Sequence, residues 1–435
     1  MTRPEDQSRE ELVALQGERL AASVRWVHER SEFWRRKLDD AGVDPASVNS
    51  IEDLRRLPTS QRSELQADQD EHPPAGSYVC TEPRDWLWIF STSGTSGRPL
   101  RRVVSAHDWQ IFVERSEQDS DFGPDDTVML LGPTDGMFGP TANLHVASRA
   151  GATVISAGRW DTRKKLSELV LWRPTVLIGS ASYLVRLTDI AAQNGVDLSD
   201  CGIHTVLSSG EPGASIPATR GMLEQRFGGA RIVDRYGMTE LPTLTRGSCP
   251  AHPGALHFNE DFVAVECLRE GSTEPVAPGE RGELVFTNLV NDTQPVLRYR
   301  SRDIGRLWIG ERCECGSPFA RLERSVEGRV DDMIWYHGVN LFPSAIENVV
   351  RKLDGLTSDY RVVLRGSRDW PELTVEVQTE TLVEGEAGKE LRSRVQAALQ
   401  EGLAVNPAVE LLAPGSLEDS GTGKTQRLLD LRETA

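Results

Sequence analysis

Short apolar runs recur at helix-length intervals between about residue 85 and residue 325, and no other feature limits the possible folds as much. The runs include Val128-Met129-Leu130-Leu131, Ala152-Thr153-Val154-Ile155, Val176-Leu177-Ile178 and His204-Thr205-Val206-Leu207. Runs this short and this apolar are buried on both faces, and the segments between them can hold crossover helices. Parallel strands in α/β layers are therefore expected. Residues 260–289 read instead as antiparallel strands with turns, at 262–265 and 282–286. Residues 1–80 are polar and helical in pattern, with helices at 8–35 and 62–70. A chain of 435 residues holds about two or three domains. Gly328 is the expected boundary, giving an N-terminal domain 1–327 and a small domain 328–435. In the latter, Ser344-Ala345-Ile346-Glu347 has the form of a capping box and Gly355 suits the end of the helix it opens. Strands are expected at 361–364 and 373–377, and a second helix at 391–403. The predicted fold class is α/β: a large layered α/β domain with an antiparallel β portion, plus a small α+β C-terminal domain.

One loop carries the first chemical signal. Ser91-Thr92-Ser93-Gly94-Thr95-Ser96-Gly97-Arg98-Pro99 follows the strand-like run Asp85-Trp86-Leu87-Trp88-Ile89-Phe90. Two glycines let the backbone turn and present its N–H groups, the hydroxyls add donors, and Arg98 adds charge. Such a loop can wrap a polyphosphate. It is not of the Walker type, because no Lys-Ser/Thr pair stands at the required spacing. Standing alone, the same composition would describe a plain linker.

The net charge of −17 argues against a nucleic-acid partner, while a local basic site can still bind ATP. No apolar run approaches the ~18 residues of a membrane helix, and the N-terminus lacks a signal-peptide core. A cytoplasmic location is expected on these grounds. Six cysteines in such a chain are unsuited to a disulfide framework. Cys313-Glu314-Cys315-Gly316 is the exception, since two thiols one residue apart can turn toward one ion. With Cys249 and an imidazole, either His252 or His257, they would close a tetrahedral zinc site. The setting Ala255-Leu256-His257 favours His257. The role would be structural, with no position left open for water.

Further motifs come in a fixed order: Tyr236-Gly237-Met238-Thr239-Glu240, Arg298-Tyr299-Arg300-Ser301-Arg302-Asp303, Gly328-Arg329-Val330-Asp331, His337-Gly338-Val339-Asn340, and Ser420-Gly421-Thr422-Gly423-Lys424-Thr425-Gln426-Arg427. This set resembles the adenylate-forming superfamily of acyl-CoA ligases, luciferases and peptide-synthetase adenylation domains. Within it, the chain is most similar to the phenylacetate–CoA ligase family, whose opening resembles Ser31-Glu32-Phe33-Trp34-Arg35-Arg36 followed by Leu57-Pro58. Some members of that family hold metal with a similar Cys…His…Cys-x-Cys pattern, and their C-terminal domain is a mobile cap.

The resemblance implies ATP, Mg²⁺ and CoA, and a role for each motif. Ser91, Thr92, Ser93, Gly94, Thr95, Ser96 and Gly97 would hold the β- and γ-phosphates. Ser209, Gly210, Glu211 and Pro212 resemble the adenine loop. Tyr236 would stack on adenine, with Gly237 and Met238 beside it. Thr239 would bond the α-phosphate and Glu240 would bind Mg²⁺. Asp303 would accept both ribose hydroxyls, and Arg324 joins the ATP-binding set. Arg302 stands where relatives carry glycine, so a positive φ there would be costly. Asp331 would be the hinge, Gly338 would line the CoA entry, and Lys424, flanked by glycines, would reach the transferring phosphate. The acyl pocket wall would include Phe138, Tyr183, Val233 and Arg235. Arg235 needs a partner, either a protein carboxylate such as Glu211 or Asp234, or a polar group on the substrate.

The expected function is ATP-dependent activation of an aryl carboxylic acid, then transfer to the thiol of CoA. The rivals are transfer to a carrier-protein thiol or an amine, and a catalytically silent nucleotide-binding protein. A homodimer is an open assembly state.

Overall fold

The computed structural model describes residues 7–92, 99–211, 213–241, 244–336, 339–367, 371–417 and 427–432. The chain divides into two compact units: residues 1–159 with 234–325, and residues 160–233 with 326–435.

The first unit opens with two helices, Arg9–Arg30 and Glu32–Asp40, where the pattern predicted one. Ser31 makes the break. Its φ of −111° and ψ of 123° are extended, and its hydroxyl accepts from Trp34 N at 3.1 Å, a side-chain cap that starts a new helix. Trp34 is then fully buried, with its indole N–H donating to Pro295 O at 3.0 Å. The helix Arg62–Glu71 matches its prediction closely.

Antiparallel strands form the main sheet of this unit, in the order Val263–Leu268, Arg281–Asn288, Tyr299–Trp308, Arg321–Leu322, Leu256–Phe258 and Thr245–Ser248. The short strand Ser60–Gln61 runs parallel to Tyr299–Trp308, with Ser60 opposite Tyr299. Phe258, Leu284, Phe286, Leu297 and Leu322, all fully buried, fill the core between the sheet and the N-terminal helices. Trp86–Ser91 and Arg101–Ser105 form an antiparallel pair at the base of the phosphate-loop motif. Thr127–Leu130 and Thr153–Ser156 are parallel, as predicted, but only Thr127–Leu130 is largely buried, while Thr153 and Ser156 are exposed and Val154 and Ile155 half-buried.

In the second unit, Val176–Gly179 and Thr205–Ser209 are also parallel. Helices Thr162–Trp172, Ala181–Gln193 and Pro217–Arg226 accompany them, and Arg231–Arg235 leads the chain back to the first unit. The C-terminal part builds a second sheet in the order Ala408–Leu412, Pro371–Thr379, Leu356–Gly366 and Leu428–Asp430. Helices Pro343–Val350 and Gly385–Leu403 pack on it around Ile346, Val362, Val375, Val395 and Leu399. The predicted capping box does not form. Pro343 takes the first helical position with Phe342 as the cap residue, where a missing N–H costs nothing. Ser344 lies inside the helix and its hydroxyl donates to Glu327 O.

No helix among the described residues is long and apolar enough to cross a membrane.

Candidate active site

Four motif residues lie together in the first unit. Strand Arg231–Arg235 delivers Tyr236, whose N–H donates to Thr245 Oγ1 at 2.9 Å while the same hydroxyl donates to Tyr236 O at 2.9 Å. Its ring meets Phe258 edge-on at 6.4 Å. Leu241 N donates to Met238 O at 3.2 Å and closes the turn that carries Thr239 and Glu240. The Tyr236 hydroxyl donates to Asp303 Oδ2 at 2.5 Å, a short charge-assisted bond. The aromatic platform and the carboxylate predicted to hold ribose are thus one linked unit, a contact that motif spacing did not predict.

A bulge aims Asp303. Glu283 pairs with Ile304 and Val285 with Arg300, so residues 301–303 oppose Leu284 alone. An insertion of this kind re-aims side chains at sheet sites. Arg302 has φ +66°, the strained conformation that its replacement of glycine made costly, on the order of 1–3 kcal/mol. Neighbouring bonds hold it there. Arg302 N donates to Glu283 Oε1 at 3.2 Å, Ser301 Oγ to Leu284 O at 2.7 Å, and Asp303 N to Ser301 Oγ at 3.0 Å. Arg298, first residue of the same motif, is structural. Its buried guanidinium forks onto Glu266 at 2.9 Å through both Nε and Nη2, and Nη1 donates to Leu57 O at 2.9 Å.

Glu240 is 5 % exposed. Its Oε1 accepts from Tyr299 OH at 3.2 Å and lies 3.6 Å from Arg62 Nη1. Arg62 Nη2 donates to Thr92 Oγ1 at 2.6 Å. Thr92 closes the stem of the loop predicted to hold phosphate, with Thr92 N donating to Leu100 O at 3.0 Å and Leu100 N to Thr92 Oγ1 at 2.9 Å. Ser91 N donates to Gly136 O at 3.0 Å. A carboxylate joined through Arg62 to Thr92 suits Mg²⁺, which is commonly held by one or two carboxylates plus substrate phosphates. Arg62 and Tyr299 were missed by motif reasoning. Arg62 was legible only as the start of a helix, because its partners are distant in sequence.

Two expected acyl-pocket residues also lie in this unit. Phe138 opens helix Phe138–Arg149 and packs at ring distances of 5.1 Å from Phe90 and 5.1 Å from Phe112. Arg235 Nη2 donates to Asp119 O at 2.6 Å and lies 3.4 Å from Asp121 Oδ2. Arg324 is exposed just past strand Arg321–Leu322.

In the second unit, Ser209 ends its strand and Gly210 turns with φ +94°. The Glu211 carboxylate accepts from Ser182 N at 2.7 Å and Ser182 Oγ at 2.5 Å, at the start of helix Ala181–Gln193. Burial raises its pKa, and the Ser182 bonds oppose that rise. Val233 is buried. The Tyr183 ring faces the Lys165 ammonium at 4.5 Å, and its hydroxyl donates to Thr162 Oγ1 at 3.2 Å. Asp331 lies exposed in the short turn Val330–Asp332. Ser93, Gly94, Thr95, Ser96, Gly97, Pro212, Gly338 and Lys424 lie outside the described residues.

The cysteine cluster assembles in the first unit. The donor atoms of Cys249, His257, Cys313 and Cys315 all lie within 4.8 Å of one another. Cys249 Sγ is 3.7 Å from Cys313 Sγ, and Cys315 Sγ is 3.3 Å from His257 Nε2. A tetrahedron with the usual zinc bond lengths has edges of about 3.8 Å between sulfurs and about 3.5 Å from sulfur to nitrogen. His257 Nδ1 donates to Phe319 O at 3.1 Å, which leaves Nε2 free of its proton and turned to the cluster, the usual outer-shell arrangement of a metal-bound imidazole. Burial lowers the His257 pKa to about 4 and pushes the Cys315 thiol up to about 12. A dication would reverse the second effect, because a coordinating thiol is deprotonated outright. The donor set fits zinc.

Residues 20–289 match the model of the AMP-binding enzyme family, and residues 338–432 that of the AMP-binding enzyme C-terminal domain. The chain belongs to the AMP-binding enzyme family. It is 30% identical to the phenylacetate-coenzyme A ligase of Thermus thermophilus, over 98% of both chains. It is 29% identical to that of Escherichia coli, over 98% of this chain and 97% of the other. The crystal structure of 2-hydroxyisobutyryl-CoA ligase in the postadenylation state superposes with a TM-score of 0.88 at 26% identity, covering 95% of this chain and 88% of that one. The activity class follows from these relatives: AMP-forming ligation of a carboxylic acid to coenzyme A.

Proposed function

We propose that this member of the family activates an aryl carboxylic acid. Full-length kinship with phenylacetate-coenzyme A ligases carries the reading. In the first half-reaction a carboxylate oxygen attacks the α-phosphorus of ATP, the α–β bridge breaks, and pyrophosphate leaves. In the second, the CoA sulfur attacks the acyl carbonyl and AMP leaves.

Both reactants of the first step are anions, so fixed donors and cations must screen them. Thr239 bonds the α-phosphate, the Ser91–Gly97 loop cradles the β- and γ-phosphates, and Glu240 holds the Mg²⁺ that neutralises them. Tyr236 and the segment Ser209–Pro212 receive adenine, and Asp303 receives ribose. The Tyr236–Asp303 bond supports the last two roles by orienting base platform and sugar acceptor together. Arg324 contributes to the nucleotide site and Lys424 supplies the cation for pyrophosphate departure. Gly338 gives the CoA thiol its entry, and Asp331 is the hinge for a C-terminal domain starting at Gly328. Phe138, Tyr183 and Val233 shape acid choice, and Arg235 braces its strand end through Asp119 and Asp121. Cys249, His257, Cys313 and Cys315 hold a structural zinc ion.

The test is a panel of aryl and short aliphatic acids with ATP and Mg²⁺, following pyrophosphate release and then AMP with and without CoA. An aryl acid that drives both steps is the expected result. Preference for an aliphatic acid would overturn the substrate class. Adenylate discharged only by a carrier protein or an amine would move the acceptor. A homodimer, proposed as the assembly, is checked by light scattering.

A further inference from the structure

Arg62 sits at a junction that no motif covers. Strand Ser60–Gln61 lies against the strand carrying Tyr299 and Asp303, with Ser60 N donating to Arg298 O at 3.0 Å and Ser60 Oγ to Leu297 O at 2.7 Å. Helix Arg62–Glu71 starts at once, and Gln61 N donates to the Glu64 carboxylate at 2.9 Å. The backbone on which Arg62 stands is therefore held from both sides. Its guanidinium reaches two groups far apart in the sequence, Thr92 Oγ1 at 2.6 Å and Glu240 Oε1 at 3.6 Å. A planar fork can address both at once, which a single ammonium cannot do as well. Tyr299 OH steadies the same Glu240 oxygen from the neighbouring strand.

We propose that Arg62 is a positioning residue of the nucleotide site, tying the stem of the phosphate loop at Thr92 to the carboxylate Glu240. The inference rests on the phosphate and cation roles given above to the loop and Glu240. ATP and its cation then meet a loop stem and a carboxylate already set in register, and the ordering cost of binding is lowered. AMP, which lacks the β- and γ-phosphates, gains nothing from the tie.

The test measures binding as well as turnover. Calorimetric titrations of the full chain with ATP·Mg²⁺ and with AMP compare wild type, Arg62→Gln, Arg62→Lys and Thr92→Val. Arg62→Gln should weaken ATP·Mg²⁺ by about tenfold or more, the scale of a lost charged hydrogen bond, with AMP affinity unchanged. Arg62→Lys should recover part of the loss. Thr92→Val breaks the tie from its other end without touching the arginine, and combining it with Arg62→Gln should cost less than the sum of the two. In turnover, KM for ATP should rise in the first half-reaction, while thioester formation from a supplied acyl adenylate stays at the wild-type rate. Equal weakening of ATP and AMP, strict additivity, or no change in ATP affinity would each overturn the proposal. A wild-type protein that binds ATP but releases pyrophosphate with no acid would overturn the functional reading alone. An active wild type with Arg62→Gln indistinguishable from it would overturn the tie alone.

Discussion

Replacing Cys315 by serine should cost the first unit the zinc ion proposed for it and a large part of its thermal stability. The site joins three segments: the end of strand Thr245–Ser248 at Cys249, strand Leu256–Phe258 at His257, and the turn holding Cys313 and Cys315. That turn is preset, with Cys313 N donating to Ser317 O at 2.9 Å, Gly316 N to Cys313 O at 2.8 Å, and Gly316 at φ +87°. The edges of 3.7 and 3.3 Å lie within a few tenths of an ångström of those of a zinc tetrahedron, and all four donor atoms lie within 4.8 Å of one another. An ion that binds the native state at a free concentration 1,000-fold above its Kd stabilises by about 4 kcal/mol. In a larger domain this corresponds to roughly 8–16 °C in Tm. Elemental analysis should find about one zinc per chain, as expected for one closed site. Scanning calorimetry with and without a strong chelator should show the shift in wild type, and Cys315→Ser should resemble the chelated protein. Adenylation measured well below the lowered Tm should remain, since a closed site offers no position to substrate. Zinc-free protein whose Tm ignores the chelator would refute the reasoning.

Lys424→Ala should slow pyrophosphate release by about 10²–10³, the worth of one contact to developing charge, and leave transfer from a supplied acyl adenylate intact; near-normal release would remove Lys424 from this role. Arg235→Ala should lower stability by about 1–3 kcal/mol, because the buried Asp119 backbone carbonyl and the nearby Asp121 lose a charged donor. Relative kcat/KM for plain and polar-substituted aryl acids should not change; a reversal would give the guanidinium to the substrate. Asp331→Pro, in the turn Val330–Asp332, should spare adenylation and depress thioester formation, and equal loss of both would refute the hinge.

Much of this molecule was legible in its sequence because the relevant physics is local. Apolar runs without alternation announced the strands Thr127–Leu130, Val176–Gly179 and Thr205–Ser209, since a strand buried on both faces needs no polar side. Motif order announced the family, and Cys-x-Cys with a distant Cys and His announced the cluster in which the donor atoms of Cys249, His257, Cys313 and Cys315 meet. Local rules failed where a competing local contact was stronger. The cap at Ser31 split a predicted helix, and Pro343 displaced a predicted capping box.

Tertiary structure alone decided what depends on groups far apart in the chain. Residues 160–233 share a compact unit with 326–435, a grouping that spacing does not encode. The bulge opposite Leu284 admits a left-handed Arg302 and turns Asp303 toward the Tyr236 hydroxyl. Arg235 meets Asp119 and Asp121, and Arg62 meets Thr92 and Glu240. Periodicity and motifs report which face of an element is buried and which residue types stand near one another in sequence. The partner of a long charged side chain is set by the folded path of distant segments, and the cost of burying that charge unpaired is what makes the pairing definite.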